Sequence, residues 1–121
     1  METRLTPRVP AKMRAVLYLE KDADQNVSLA GGKYHKVTVF DISEGSLGLI
    51  VKKFYLPRGT KVEIVVSRTP FKLAKPVEIK GEVRYCLNHK YNSYKCGIKI
   101  LEISDVHKKA ISSFVEKSLK K

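Results

Sequence analysis

Asp41-Ile42-Ser43-Glu44-Gly45-Ser46-Leu47-Gly48 holds two acids, two serines and two glycines within eight residues. It separates two apolar runs, Val37-Thr38-Val39-Phe40 and Leu49-Ile50-Val51. Both runs are rich in β-branched residues, which pack well on a pleated surface and favour strands. The link between them must turn the chain within a few residues. Asp and Ser do this by bonding nearby backbone, and Gly does it because no Cβ opposes a positive φ. One reading is an ordinary hairpin turn. The other is a small polar cup, in which a carboxylate, a hydroxyl and several backbone N–H groups converge on one spot that suits an anion or the edge of a base.

On either side of this stretch, the alternation of apolar and polar residues predicts strands. Residues 12–20 carry Met13, Ala15, Leu17 and Leu19 on one face, and residues 34–42 and 47–53 flank the turn. Pro57-Arg58-Gly59 signals another turn, after which Val62, Ile64 and Val66 alternate with Lys61, Glu63 and Val65. At 77–86 the alternation puts Val77, Ile79, Gly81, Val83 and Tyr85 on one face and Glu78, Lys80, Glu82, Arg84 and Cys86 on the other. Polar residues 88–93 form a loop, and Tyr94, Cys96, Ile98 and Ile100 mark a sixth strand. Cys86 is thereby expected outward and Cys96 inward, a poor placement for a disulfide. Ser104-Asp105 is an N-cap signal for a helix over about 105–119, with an apolar stripe through Val106, Ala110, Ile111, Phe114, Val115 and Leu119. Short strands with turns between them predict a small antiparallel barrel or sandwich, mostly β, closed by a C-terminal helix.

Length and charge bound the function. The 121 residues suffice for one domain with its own core, and an apolar content of 43% fits a globular chain. No apolar run is long enough to span a bilayer, and the first residues lack the apolar centre of a signal peptide, so a cytoplasmic location is expected. Lys and Arg number 24 against 12 Asp and Glu, a net +12, which favours an anionic partner. Two cysteines and three scattered histidines show no metal spacing, so no metal or cofactor is expected. No nucleophile stands beside a base and no carboxylates pair in sequence, so an enzyme is not expected. Residues 1–11, with Pro7 and Pro10 and the cations Arg4 and Arg8, read as a flexible basic arm preceding a domain over 12–121.

Arg4-Leu5-Thr6-Pro7-Arg8, followed by Val9-Pro10, resembles the RxxxR arm of PilZ domains, and Asp41-Ile42-Ser43-Glu44-Gly45-Ser46 resembles their [D/N]xSxxG motif, in the same order along the chain. Leu56-Pro57-Arg58-Gly59-Thr60, Gly81-Glu82-Val83 and Tyr94-Lys95-Cys96-Gly97-Ile98 are similar to later pieces of the family. The resemblance covers nearly the whole chain. It implies a six-stranded antiparallel β-barrel with a C-terminal α-helix, and a bacterial receptor for cyclic di-GMP with a downstream protein partner. The ligand-binding residues it implies are Arg4, Arg8, Asp41, Ser43 and Ser46.

The chemistry agrees with that implication. An Arg fork matches the N7 and O6 acceptors of guanine and pairs with phosphate, and a carboxylate accepts together from guanine N1–H and N2–H. Arg4 and Arg8 are thus expected to close over the ligand, and Asp41 to select guanine, with the Ser43 hydroxyl beside it. One position departs: Ser46 stands where the motif closes on glycine. A Ser forced to positive φ would be strained by ~1 kcal/mol or more. That departure keeps open a PilZ-like adaptor that binds a protein and no nucleotide. A third reading, a basic β-barrel binding nucleic acid, follows from the charge, although the tyrosines are dispersed rather than arrayed for base stacking.

Overall fold

Six strands form where the sequence alternates. They are β1 (Val9–Leu19), β2 (His35–Ile42), β3 (Ser46–Lys52), β4 (Lys61–Val66), β5 (Val77–Lys90) and β6 (Ser93–Ile103), followed by a helix, α1 (Asp105–Leu119). The structure is a computed structural model describing residues 7–19 and 34–120. All neighbouring strands are antiparallel, in the order β1-β2-β3-β6-β5-β4, and β4 pairs back onto β1 to close a barrel. Closure gives every strand a neighbour on both sides for at least part of its length, which shortens the edges that could aggregate. The apolar face of each strand points inward. Leu17, Val39, Leu47, Leu49, Val62, Ile64 and Val83 are wholly buried, and each such burial stabilises by about 1.5–3 kcal/mol before the entropy of ordering is counted.

The first strand starts at Val9, earlier than the alternation predicts, so Val9, Pro10 and Ala11 belong to the barrel rather than to an arm. Val9 is buried in the core. Pro10 is tolerated because β4 pairs with β1 only from Ala15 to Leu19, so no ladder bond is lost there on that side. The ladder to β2 also slips between Pro10 and Met13. Arg4 and the rest of residues 1–6 lie outside the described residues.

The expected loop at 88–93 is mostly strand. Lys90 pairs with Ser93, and only Tyr91 and Asn92 connect them, with Asn92 in the left-handed region at φ 58°. The cysteine expectation also fails. The β5–β6 register slips between Val83 and Tyr85, and that extra residue turns Cys86 inward. Cys86 and Cys96 are both buried free thiols that sit opposite each other, and Cys96 Sγ donates to Cys86 Sγ at 3.1 Å. Burial pushes the Cys96 thiol up from its ordinary value, and the bond to Cys86 adds to the shift. The backbone N–H of Leu56 donates to Cys86 Sγ at 3.3 Å, tying the β3–β4 connection to the core.

Ser104 caps α1 as expected, its hydroxyl accepting from the His107 N–H at 3.2 Å, and His107 Nδ1 in turn accepts from the Glu78 N–H. The apolar stripe is only partly used. Ile111 and Val115 are buried, while Val106 is 66% and Leu119 is 54% exposed. The reason is the barrel's shape: a closed barrel offers one short contact line, so a helix of this length overruns it.

Candidate ligand site on the outer face of the barrel

The site grows from the β2–β3 turn. Ser43 is 2% exposed, and its Oγ accepts from the N–H groups of Gly45 (3.2 Å) and Ser46 (3.0 Å). The same oxygen lies 2.9 Å from Ser46 Oγ, and the Ser43 N–H donates to the Ser46 carbonyl at 2.9 Å. A short hydroxyl side chain bonding its own backbone two and three residues on is what makes Ser suited to a turn. Ser43 therefore staples the turn. The turn is fixed from outside as well: the Ile100 N–H donates to the Gly45 carbonyl at 3.0 Å.

The condition for strain at Ser46, a positive φ, is not met. Ser46 opens β3, pairs with Lys99, and is not among the positive-φ positions, which among the described residues are Lys53, Lys72, Asn92 and Gly59. Extended backbone suits any residue there, so the exchange of the motif glycine for Ser forces no left-handed conformation.

Asp41 stands where the β2–β3 register slips. Val39 faces Leu49 and Asp41 faces Gly48, so Phe40 is the extra residue of a bulge, and Phe40 and Asp41 together oppose Gly48. A Cβ at Gly48 would lie 2.5 Å from both Asp41 Oδ1 and Phe40 Cζ. Glycine is required because two side chains cross its Cα. Gly48 in turn pairs with Gly97 across β3 and β6, and a Cβ at Gly97 would overlap the Tyr85 ring. On the outer face the paired glycines thus lie beneath the rings of Phe40 and Tyr85. Lys95 Nζ sits over the Phe40 ring, 4.6 Å from its centroid.

Arg8 reaches this face from the start of the chain. Its Nη1 lies 3.7 Å from Asp41 Oδ2, with the two side chains 21% and 20% exposed. The pair is loose, and it leaves polar atoms over. Arg8 Nε and Asp41 Oδ1 are both buried from solvent and have no hydrogen-bond partner among the described residues. An unpaired buried donor or acceptor costs about 1–3 kcal/mol, so this face carries polar capacity that a ligand can satisfy.

Of the residues expected from sequence, Arg8, Asp41, Ser43 and Ser46 are described, and Arg4 is not. Arg8 and Asp41 meet, as do Ser43 and Ser46. Sequence reading gave no role to Phe40, Gly48, Tyr85 or Gly97. A usable signal existed for the glycines: each interrupts a strand at an outward position, where a missing side chain points to close approach of another group.

The fold and this arrangement place the chain among small closed β-barrels that carry a polar site on their outer face. More narrowly, the chain belongs to the PilZ domain family, whose model matches residues 2–117. Three solved structures illustrate the likeness. The inhibitor of motility MotI (DgrA) of Bacillus subtilis aligns with a TM-score of 0.77 at 14% identity, over 100% of this chain and 54% of its own. The PilZ domain of YcgR from Escherichia coli, solved with c-di-GMP, gives 0.68 at 12% identity over 98% of this chain and 93% of that one. The MrkH–c-di-GMP complex of K. pneumonia gives 0.72 at 15% identity over 100% and 57%. The chain spans little more than half of MotI and MrkH. No curated protein matches it by sequence.

Proposed function

We propose that this PilZ domain is a receptor for cyclic di-GMP, which it holds on the outer face of β2 and β3, and that ligand binding is relayed to a downstream protein. The observation that carries the reading is the Arg8–Asp41 pair with its unpartnered Nε and Oδ1 atoms. Asp41 Oδ1 and Oδ2 together match the N1–H and N2–H donors of guanine, and the Arg8 guanidinium matches guanine N7 and O6 or a phosphate. Binding would exchange a loose 3.7 Å pair for short charge-assisted bonds on both partners. Ser43 would act indirectly, by holding the turn that carries Asp41. Arg4, four residues before Arg8, would add a second cation to the same ligand. Cyclic di-GMP in the YcgR and MrkH structures supports the reading by family likeness. The adaptor reading loses its motive, because Ser46 sits at an ordinary backbone angle.

Calorimetric titration with cyclic di-GMP tests this, with GMP and single-stranded DNA as controls. Saturable binding of the dinucleotide is expected, weakened by roughly 1.5–3 kcal/mol in Arg8→Ala, since a charge-assisted hydrogen bond is lost. No heat with cyclic di-GMP, or equal binding by Arg8→Ala and the parent, would refute the proposal.

A further inference from the structure

Helix α1 buries only Ile111 and Val115, and its apolar stripe continues outward. Val106, Ala110 and Phe114 form one wall of a groove of about 600 Å³, and Phe71 and Leu73 form the other. Phe71 belongs to a single 3₁₀ turn, Thr69–Phe71, in the β4–β5 connection. The Phe71 and Phe114 rings meet edge to face, 5.7 Å between centroids at 62°, and both are half-buried. Around this apolar floor stand Lys72, Lys109 and Lys117, all exposed. None of the three pairs with a carboxylate among the described residues. From Val106 to Lys117 the groove follows the helix for three turns, about 16 Å at 1.5 Å per residue.

We infer that this groove is the docking site for an acidic amphipathic helix of a partner protein. An apolar trough along a helix takes the apolar face of another helix, with anchors spaced by three and four residues. The three lysines fix the sign of the flanking residues, because carboxylates on the incoming helix meet them and basic residues are repelled. Two other occupants fit less well. A lipid surface is flat or convex towards the protein and does not reach the floor of a concave trough. A second copy of this chain brings the same three lysines and a net charge of +12 to the same contact. The groove lies on elements that contribute nothing to the Arg8–Asp41 site. Its test needs no dinucleotide, so its failure and the failure of the cyclic di-GMP reading are separable.

The experiment pans a displayed library of random peptides, long enough for four helical turns, on the full chain. It removes binders to a triple charge-reversal variant, Lys72→Glu with Lys109→Glu and Lys117→Glu. All three positions are exposed, and matching circular dichroism spectra and melts confirm that the variant folds. The Lys→Gln set at the same positions serves as a milder second variant. The enriched peptides are expected to carry net negative charge with apolar residues at helical spacing. They should bind the parent at least about tenfold more tightly than the charge-reversal variant, with an intermediate loss in the Lys→Gln set and weakening at high salt. Amide chemical shift changes should fall on residues 69–73 and 106–118. Enrichment of basic peptides, no enrichment, or equal binding to the variant overturns the inference. So does self-association, or co-sedimentation with phosphatidylserine vesicles, that the charge reversal abolishes.

Discussion

Replacing Ser46 by Gly restores the family's motif residue, yet it is expected to weaken this protein. The Ser46 hydroxyl lies 2.9 Å from Ser43 Oγ, and the residue has no positive φ for Gly to relieve. Loss of a neutral hydrogen bond costs about 0.5–1.5 kcal/mol. Added freedom of the unfolded chain costs a further ~0.5–1 kcal/mol. Together these give roughly 1–2.5 kcal/mol, a melting point lower by about 4–10 °C for a domain of this size. Affinity for cyclic di-GMP should not rise, because the Asp41 carboxylate is positioned by Gly48 and the bulge rather than by Ser46. The companion variant Ser43→Ala should melt lower still. It removes the acceptor of the N–H groups of both Gly45 and Ser46, where Ser46→Gly removes only one side-chain partner. Thermal melts followed by circular dichroism, with titrations on the same samples, provide the readout. A Ser46→Gly domain that melts higher and binds more tightly would refute the reasoning, since it would mean that the turn wants a left-handed residue at this position.

Further outcomes follow from the same geometry. Asp41→Ala should lose roughly 1–3 kcal/mol of cyclic di-GMP binding and less of cyclic di-AMP binding, because adenine presents an acceptor at N1. Equal losses in parallel titrations would remove Asp41 as the source of selectivity. Gly48→Ala puts a methyl group 2.5 Å from Asp41 Oδ1 and Phe40 Cζ. It should weaken cyclic di-GMP binding about tenfold and destabilise by ~1–3 kcal/mol through overpacking; parent-like affinity would show that the placement of Asp41 over Gly48 is irrelevant. The buried thiols should resist an aromatic disulfide reagent until the protein is unfolded, and rapid labelling of the native chain would contradict their burial. Because the folded Cys96 thiol is raised, its contribution to stability is complete below the unfolded thiol value and is lost as pH rises above it. Chemical denaturation from pH 7.5 to 9.5 should therefore show a steeper fall for the parent than for Cys96→Ala, by up to about 1.4 kcal/mol per pH unit.

Strand identity and facing were legible wherever the period of two ran unbroken. Val62, Ile64 and Val66 in β4, and Met13, Ala15 and Leu17 in β1, are buried as the alternation predicts. The helix cap was equally plain, since Ser104 is a side chain that bonds the first turn. What the pattern could not show is where a strand gains a residue. A bulge shifts every later side chain to the opposite face, and nothing in Val83-Arg84-Tyr85 marks one by composition. The inward turn of Cys86 and its contact with Cys96 were therefore hidden, as was the reach of β1 back to Val9 through a proline that usually ends regular structure. The stripe on α1 was read correctly as apolar, but the barrel buries only Ile111 and Val115 of it. Periodicity reports which residues share a face, not how much barrel lies beneath it.

The candidate site lies where regular pairing breaks, and a physical reason connects the two. A regular antiparallel ladder places side chains evenly over the sheet and leaves no depression for a ligand. In this barrel the β2 bulge brings Phe40 and Asp41 over Gly48, and a second slip, in β5, brings Tyr85 over Gly97. Gly48 and Gly97 are direct partners, so the two irregularities converge on one pair of missing side chains from opposite sides. Either bulge alone would collide with any larger residue on its glycine, and either glycine alone would leave a gap. The bulges and glycines thus form one unit, in which the irregular ladder seats two rings and a carboxylate on a pair of glycines at the outer wall. Arg8 completes it because β1, the neighbour of β2, opens at Val9, directly opposite Ile42 at the end of the Asp41 strand. The arginine motif and the aspartate motif lie far apart in sequence. Arg8 and Asp41 meet because the antiparallel pairing of β1 with β2 sets the start of one strand beside the end of the other.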